Sequence, residues 1–138
     1  MKLRIKGNTL RFRLTKSEVS ALHDQGWWQD ATSLGGQESM QLLYRIEKST
    51  EPSAHIVYAS GRGTLITATV PEKDLAAWAD SGQIGLYFEE IWGLKVAIEK
   101  DFRCLDEKRD EDESDNFDHP LAGSSGHLQC SEEDVGED

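Results

Sequence analysis

The first fourteen residues alternate between basic and apolar side chains, a pattern typical of two half-buried strands. Between the two runs, Gly7 and Asn8 both tolerate positive φ, as the central residues of a two-residue hairpin turn must. The resulting register places like charges opposite each other across the hairpin. All the basic side chains of this segment then project from one face, and they are Lys2, Arg4, Lys6, Arg11 and Arg13.

The chain up to about residue 102 continues as short helices and further hairpins. Residues 15–18 have the spacing of a capping box, which predicts a helix that ends at Gly26. Pro71 and Gly82 delimit a second short helix. Alternating residues predict hairpins at 27–46, 55–70 and 84–102. We therefore expect an α+β fold with eight strands and two short helices, arranged as an antiparallel sheet or closed into an eight-stranded barrel.

The order hairpin, helix, hairpin occurs twice along the chain. A shift of 56 residues superposes Val19 on Leu75 and Gly26 on Gly82, and it places Leu42 on Ile98. Few residues are identical under this shift, and many helices end in glycine. Two duplicated halves and two unrelated halves both fit the sequence.

The net charge of −11 comes entirely from the end of the chain. Residues 1–100 contain 12 basic and 12 acidic residues, whereas residues 101–138 contain 3 basic and 14 acidic ones. The same end has few large hydrophobic residues with which to offset the entropy of ordering. We predict a globular domain at residues 1–105, followed by an acidic and largely disordered tail at residues 106–138.

The localisation expected from the sequence is cytoplasmic, without a membrane partner. No apolar run approaches the ~20 residues that a bilayer span needs. The start of the chain alternates charged and apolar residues, unlike a secretory signal. Two cysteines are too few for a disulfide framework.

The basic residues of the first hairpin form the clearest candidate binding site. Like charges directly opposite each other across strands cost about 0.2–1 kcal/mol per pair. Three explanations for their presence stay open: cross-strand acids, an anionic ligand such as a phosphate, nucleotide or nucleic acid, or the protein's own acidic tail. The cross-strand acids that could serve are Glu47, Glu89, Glu99 and Asp101.

The adjacent Trp27 and Trp28 place one ring on each side of a strand. One ring belongs to the core, and an exposed ring beside a basic face would suit stacking on a nucleobase. We assign Trp28 to the candidate binding face, together with the five basic residues.

Three further patterns in the sequence are weaker candidates for a functional site. Eight antiparallel strands and two helices, with basic residues facing one side, are similar in fold only to the triphosphate tunnel metalloenzymes. The first strand here carries lysine and arginine where that family has metal-binding glutamates, and the remaining acids on offer are Glu89, Glu90, Glu99 and Asp101. A zinc set would need widely spaced residues, namely Cys104, His119, His127 and Cys130. A calcium-loop pattern lacks the usual glycine and glutamate, and its residues are Asp110, Asp112, Ser114 and Asn116.

Four segments of the chain resemble a family of small uncharacterised bacterial proteins, a domain of unknown function. They are residues 1–8 (MKLRIKGN), 13–19 (RLTKSEV), 99–106 (EKDFRCLD) and 113–116 (ESDN). The resemblance covers about residues 1–120. It implies a bacterial cytoplasmic protein, transfers no catalytic residue, and makes residues 121–138 an extension particular to this chain.

The interpretation we favour is a non-enzymatic binding module whose basic face engages an anionic partner in competition with the acidic tail. The alternatives are a phosphohydrolase of the triphosphate-tunnel type and a protein interaction domain in which the basic face is merely structural. We assign no catalytic residue, no metal ligand and no cofactor. The sequence specifies neither the identity of the ligand nor the oligomeric state.

Overall fold

A computed structural model describes residues 1–102, which contain eight strands, two α-helices and one 3₁₀ turn at Glu38–Met40. The eight strands are β1 (Lys2–Lys6), β2 (Thr9–Leu14), β3 (Trp27–Ser33), β4 (Gln41–Ser49), β5 (His55–Gly61), β6 (Gly63–Pro71), β7 (Gly85–Glu89) and β8 (Lys95–Lys100). The helices are α1 (Lys16–Gln25) and α2 (Glu72–Ala79). The predicted number and order of strands and helices are confirmed. No helix in this described part of the chain is long and apolar enough to cross a membrane.

The first helix begins and ends as the sequence predicts. The Thr15 hydroxyl accepts a hydrogen bond from the Glu18 backbone N–H, and the Glu18 carboxylate accepts one from the Thr15 N–H at 2.9 Å. Gly26 closes the helix in the left-handed conformation at φ 90°. The second helix ends earlier than predicted, since Asp80 rather than Gly82 is its C-terminal cap.

The strands form two four-stranded mixed sheets that do not close into a barrel. The first sheet has the order β1-β2-β8-β7 and the second has the order β3-β4-β6-β5. The hairpins are antiparallel as predicted, but the central pairs β2/β8 and β4/β6 are parallel. The predicted α+β class is therefore confirmed, the antiparallel expectation holds for the hairpins but not for the central pairs, and the described strands do not form the predicted barrel. Each helix carries the chain from one sheet to the other, so hairpins distant in sequence become neighbours.

The two sheets are related by a swap of the two halves of the chain. Replacing each strand of β1–β4 by its counterpart in β5–β8 converts the order of the first sheet into that of the second. In the parallel pairs, Phe12 faces Ile98 and Ala68 faces Ile46, so Ile46 corresponds to Ile98. The true shift for these strands is therefore 52 residues, and it aligns the identical tripeptides Ile-Glu-Lys at 46–48 and 98–100. The predicted superposition of Leu42 on Ile98 is wrong by four residues, whereas the two-half organisation is confirmed.

One hydrophobic core collects the inner faces of both sheets and the apolar sides of both helices. Its largest fully buried side chains are Trp78, Phe12, Leu14, Leu22, Ile46, Ile98 and Val70. The strand residues that alternate with these core residues project from the opposite face of each sheet. The charged residues of β1 and β2 thereby lie on the outer face of the first sheet.

A candidate anion-binding face

The outer face of the first sheet carries all five basic residues predicted to lie together. In the β1/β2 register, Lys2 faces Arg13 and Arg4 faces Arg11, as predicted from the alternation of residues in the sequence. Lys95 joins them, because it pairs with Thr9 at the start of β8 and alternates with the core residue Val96. We call this surface the basic face. Its basic side chains are Lys2, Arg4, Lys6, Arg11, Arg13 and Lys95.

Acidic residues from the end of the first sheet offset part of this charge. The Nε atoms of Arg11 and Arg13 lie 3.6 Å and 3.8 Å from Oε1 of Glu99, their neighbour on β8. The Lys2 ammonium lies 3.4 Å from the Asp101 carboxylate. Two of the four predicted cross-strand acids therefore do compensate the hairpin. These pairs are partly exposed, so each contributes at most about 1 kcal/mol to stability.

The other two predicted acids do not pair with the hairpin in the described structure. Glu47 lies in the second sheet, where its carboxylate accepts a hydrogen bond from Arg45 Nε at 2.6 Å. Glu89 forms no ion pair within residues 1–102. Within the same residues, no ion pair is found for Arg4, Lys6 or Lys95. With Glu89, Glu99 and Asp101 set against six basic side chains, the basic face keeps a net positive charge.

Tyr87 is a member of this face that the sequence analysis missed. Its hydroxyl donates a hydrogen bond to Glu99 Oε2 at 2.8 Å. Glu99 therefore contacts Tyr87 on β7 as well as the two arginines on β2. Burial and this hydrogen bond raise the pKa of Tyr87 above its usual value of 10.0. The alternation of Leu86 and Phe88 inward with Tyr87 outward could have identified it, had the pairing of β7 with β8 been set beside β2.

Trp28 lies in the second sheet and not on the basic face. Its ring is partly buried against the core, and its Nε1 donates a hydrogen bond to Asp30 Oδ2 at 3.2 Å. Trp27 is the more exposed of the pair, and the Arg45 guanidinium lies 4.6 Å from the centre of its ring. The sequence does not specify which of the two tryptophans faces the core, because the side chains on either face of a strand recur at every second residue.

The equivalent face of the second sheet lacks the five basic residues of the hairpin and carries one arginine, Arg45, which is paired with Glu47. By the swap of halves, Arg11 and Arg13 correspond to Thr67 and Thr69 on β6. In the same way, comparison of the β1/β2 and β5/β6 registers shows that Lys2, Arg4 and Lys6 correspond to His55, Val57 and Ala59 on β5. The glutamate survives at both places, as Glu99 and Glu47. The same architecture therefore forms with and without the five basic residues.

The metal-binding patterns find no support in the described part of the chain. No group of three or more His, Cys, Asp or Glu side chains within residues 1–102 is placed to hold a metal ion. Glu90 is buried, and its carboxylate accepts the Ile56 backbone N–H at 2.6 Å. The zinc and calcium patterns at residues 104–130 lie outside the described residues, as does the predicted acidic tail.

Comparison with curated proteins and with solved structures found no match. A model of one protein family covers residues 1–121, which agrees with the extent of the resemblance seen in the sequence. That match spans most of the 138 residues. The chain therefore belongs to the family of unknown function DUF7009.

Proposed function

We propose that this domain is a non-enzymatic binding module whose basic face engages an anionic, phosphate-bearing partner, and that its acidic tail competes for that face. The observation that carries the proposal is the difference between the two equivalent outer faces. Because Thr67, Thr69 and Val57 serve the second sheet in place of arginines, folding does not require the basic residues. Arginine and lysine on a rigid sheet are well suited to binding phosphate groups.

The charge balance within the face supports the same proposal. Arg11, Arg13 and Lys2 have acidic neighbours, whereas Arg4 and Lys6 have none within residues 1–102. Arg4 faces Arg11 directly, a like-charge pair that costs stability unless an anion lies between them. An anionic partner would convert this repulsion into binding energy.

The acidic tail supplies the competitor in this proposal. Residues 106–138 carry the whole net charge of −11, on the same chain as a face of net positive charge. An anion tethered to the same chain has a high effective concentration, so a free ligand must compete with it. Ionic strength weakens both the internal and the external interaction.

The test measures binding of fluorescent heparin to the full chain and to a tail-neutralised chain. In the latter, asparagine or glutamine replaces the acids of the run at residues 110–115, which are Asp110, Glu111, Asp112, Glu113 and Asp115. We expect the tail-neutralised chain to bind more tightly, and both chains to lose affinity as salt is added. Serine at Arg4, Arg11 and Arg13 should abolish the gain in affinity and reduce the salt slope of the residual binding by roughly 2–3, about one per lost contact.

The matched control removes three basic charges elsewhere, with serine at Lys16, Arg62 and Lys73. All three side chains are exposed and lie off the basic face. Equal loss of binding in both triple variants would mean that net charge alone, and not the basic face, governs binding. Negligible binding by every chain would refute the anion site and the masking together. Stabilisation by ATP that requires Mg²⁺ would instead favour the phosphohydrolase.

A further inference from the structure

Tyr87 is held as a rigid aromatic surface on the basic face. Its hydroxyl is fixed by Glu99, while the end of its ring lies over Gly85, two residues earlier on β7. A Cβ atom at Gly85 would lie 2.6 Å from the Tyr87 hydroxyl and 2.8 Å from Cζ, so only glycine leaves room for the ring there. Tyr87 is nevertheless 62% exposed. The ring is thus supported by the sheet and open to solvent.

The ring lies in the same row as the two arginines that repel each other. Across the sheet, Arg4 faces Arg11, Arg11 faces Ala97, and Ala97 faces Tyr87. The small Ala97 side chain places no bulky group between the guanidinium of Arg11 and the ring. The Glu99 carboxylate contacts both Arg11 Nε and the Tyr87 hydroxyl, so these two groups lie on either side of one carboxylate. A cation and an aromatic surface are therefore adjacent on one rigid plane.

A second exposed aromatic ring lies at one end of the same sheet. Trp92, in the turn between β7 and β8, is 63% exposed. This turn lies beside the Gly7 to Asn8 turn, because the Lys95 backbone N–H donates to the Asn8 carbonyl at 3.0 Å. Lys6 and Lys95 belong to this end of the sheet. The end of the sheet beside Trp92 therefore carries two basic side chains, Lys6 and Lys95, with Glu89 opposite Lys95.

We infer that the anionic partner is a single-stranded nucleic acid, with bases stacked on Tyr87 and phosphates bound by Arg4, Lys6 and Lys95. This inference rests on the proposed function of the basic face. Single-strand binding sites combine a positively charged track with aromatic rings on which successive bases stack. A free phosphate would use no ring, and a duplex keeps the faces of its bases covered. A lipid surface would use Trp92 and Ile91 in the exposed turn but not a ring lying within the sheet.

The experiment measures the anisotropy of fluorescein-labelled dT15 with the full chain and with the tail-neutralised full chain. Stacking of a base on an aromatic ring changes affinity by a factor of about 5 to about 150. We therefore expect Tyr87→Ala to weaken binding by at least about fivefold, and Trp92→Ala to weaken it as well. Tyr87→Phe keeps the ring and should bind within about twofold of the unmodified residue.

The matched control is Tyr58→Ala, since Tyr58 is 67% exposed but belongs to the second sheet. It should leave the affinity for dT15 unchanged. A direct readout on the unsubstituted Tyr87 does not depend on how any variant folds: its ring proton resonances should move upfield when dT15 binds. A 15-base-pair duplex should bind more weakly than dT15.

Three results would overturn the inference while leaving the basic face as an anion site. They are equal losses in Tyr87→Ala and Tyr58→Ala, a static Tyr87 ring resonance at saturating dT15, and equal affinity for dT15 and duplex while heparin still binds through Arg4. Binding to phosphatidylserine vesicles that depends on Trp92 but not on Tyr87, without binding of dT15, would also overturn it. Loss of heparin binding altogether would refute the proposed function itself.

Discussion

The α-ammonium of Met1 is predicted to stabilise the fold substantially through two carboxylates on different elements. It donates hydrogen bonds to Glu18 Oε2 at 2.5 Å and to Asp30 Oδ2 at 2.7 Å, while the Met1 side chain is fully covered. Glu18 belongs to α1 and Asp30 to the second sheet, so the start of β1 is tied to both. The same contacts hold the beginning of the strand that carries Lys2 and Arg4.

Adding a Gly-Ser dipeptide before Met1 removes this charge and leaves a single peptide N–H in its place. A hydrogen bond between charged groups contributes about 1.5–3 kcal/mol, and Asp30 is partly exposed, so we expect the extension to cost about 2–4 kcal/mol. The assay is urea unfolding followed by tryptophan fluorescence. The expected loss lowers the midpoint by about 1–2 M at an unchanged m-value. The control carries the same dipeptide after Asp138.

The pH dependence gives a second measure of the same interaction. Burial by itself lowers the pKa of the Met1 α-ammonium, but the hydrogen bonds to Asp30 and Glu18 outweigh it and raise the pKa above the ordinary 8.0. Because the pKa of the ammonium is higher in the folded state than in the unfolded state, its charge stabilises the fold fully below pH 8.0. This stabilisation is lost as the pH rises through the pKa of the folded state. The free energy of unfolding should thus fall as the pH rises above 8.0, and it should fall less in Asp30→Asn. Equal stability of the two extended chains, within about 0.5 kcal/mol, would refute the reasoning.

Two further substitutions test the packing that holds the sheets together, both by urea unfolding. Glu90→Ala leaves the Ile56 N–H without its acceptor and should cost about 1–3 kcal/mol, whereas Glu89→Ala at the exposed neighbour should change stability by less than about 0.5 kcal/mol. Gly63→Ala should cost more than about 1 kcal/mol, because Gly63 has φ 93° and its Cβ would lie 2.8 Å from the Gln41 carbonyl oxygen. Gly61→Ala meets open space and is the control. Equal losses within either pair would contradict these assignments.

Local features of the fold were predictable because each depends on neighbours in the sequence. The β1/β2 register follows from side-chain alternation around the Gly7 turn, and the capping box follows from the spacing of Thr15 and Glu18. The parallel pairing of β2 with β8 was not predictable in this way, because it joins residues more than eighty positions apart. A hairpin pattern specifies its own turn and leaves its outer edges free to pair with any other strand.

The candidate site was predictable to the same limit. The five basic residues of the first hairpin were found because they share one strand pair. Tyr87 and Lys95 were missed because they reach the basic face only through the pairing of β8 with β2 and β7. The choice between Trp27 and Trp28 failed for a related reason, since alternation places the two rings on opposite faces without saying which face is the core.

The duplicated architecture separates residues that the fold needs from residues that one face alone carries. Both sheets keep isoleucine and glutamate in matching positions, with Ile46 and Ile98 fully buried and Glu47 and Glu99 each beside an arginine. The Ile-Glu pattern therefore belongs to the scaffold. The two faces differ in the row that holds Arg4, Arg11, Ala97 and Tyr87 in the first sheet, which is Val57, Thr67, Arg45 and Gln29 in the second. The one cation of the second row, Arg45, is paired with Glu47, and that row has neither two facing arginines nor a tyrosine. The stability of the shared scaffold therefore does not explain the facing arginines and the tyrosine of the first sheet. The proposed ligand, which is both anionic and able to stack, would account for them.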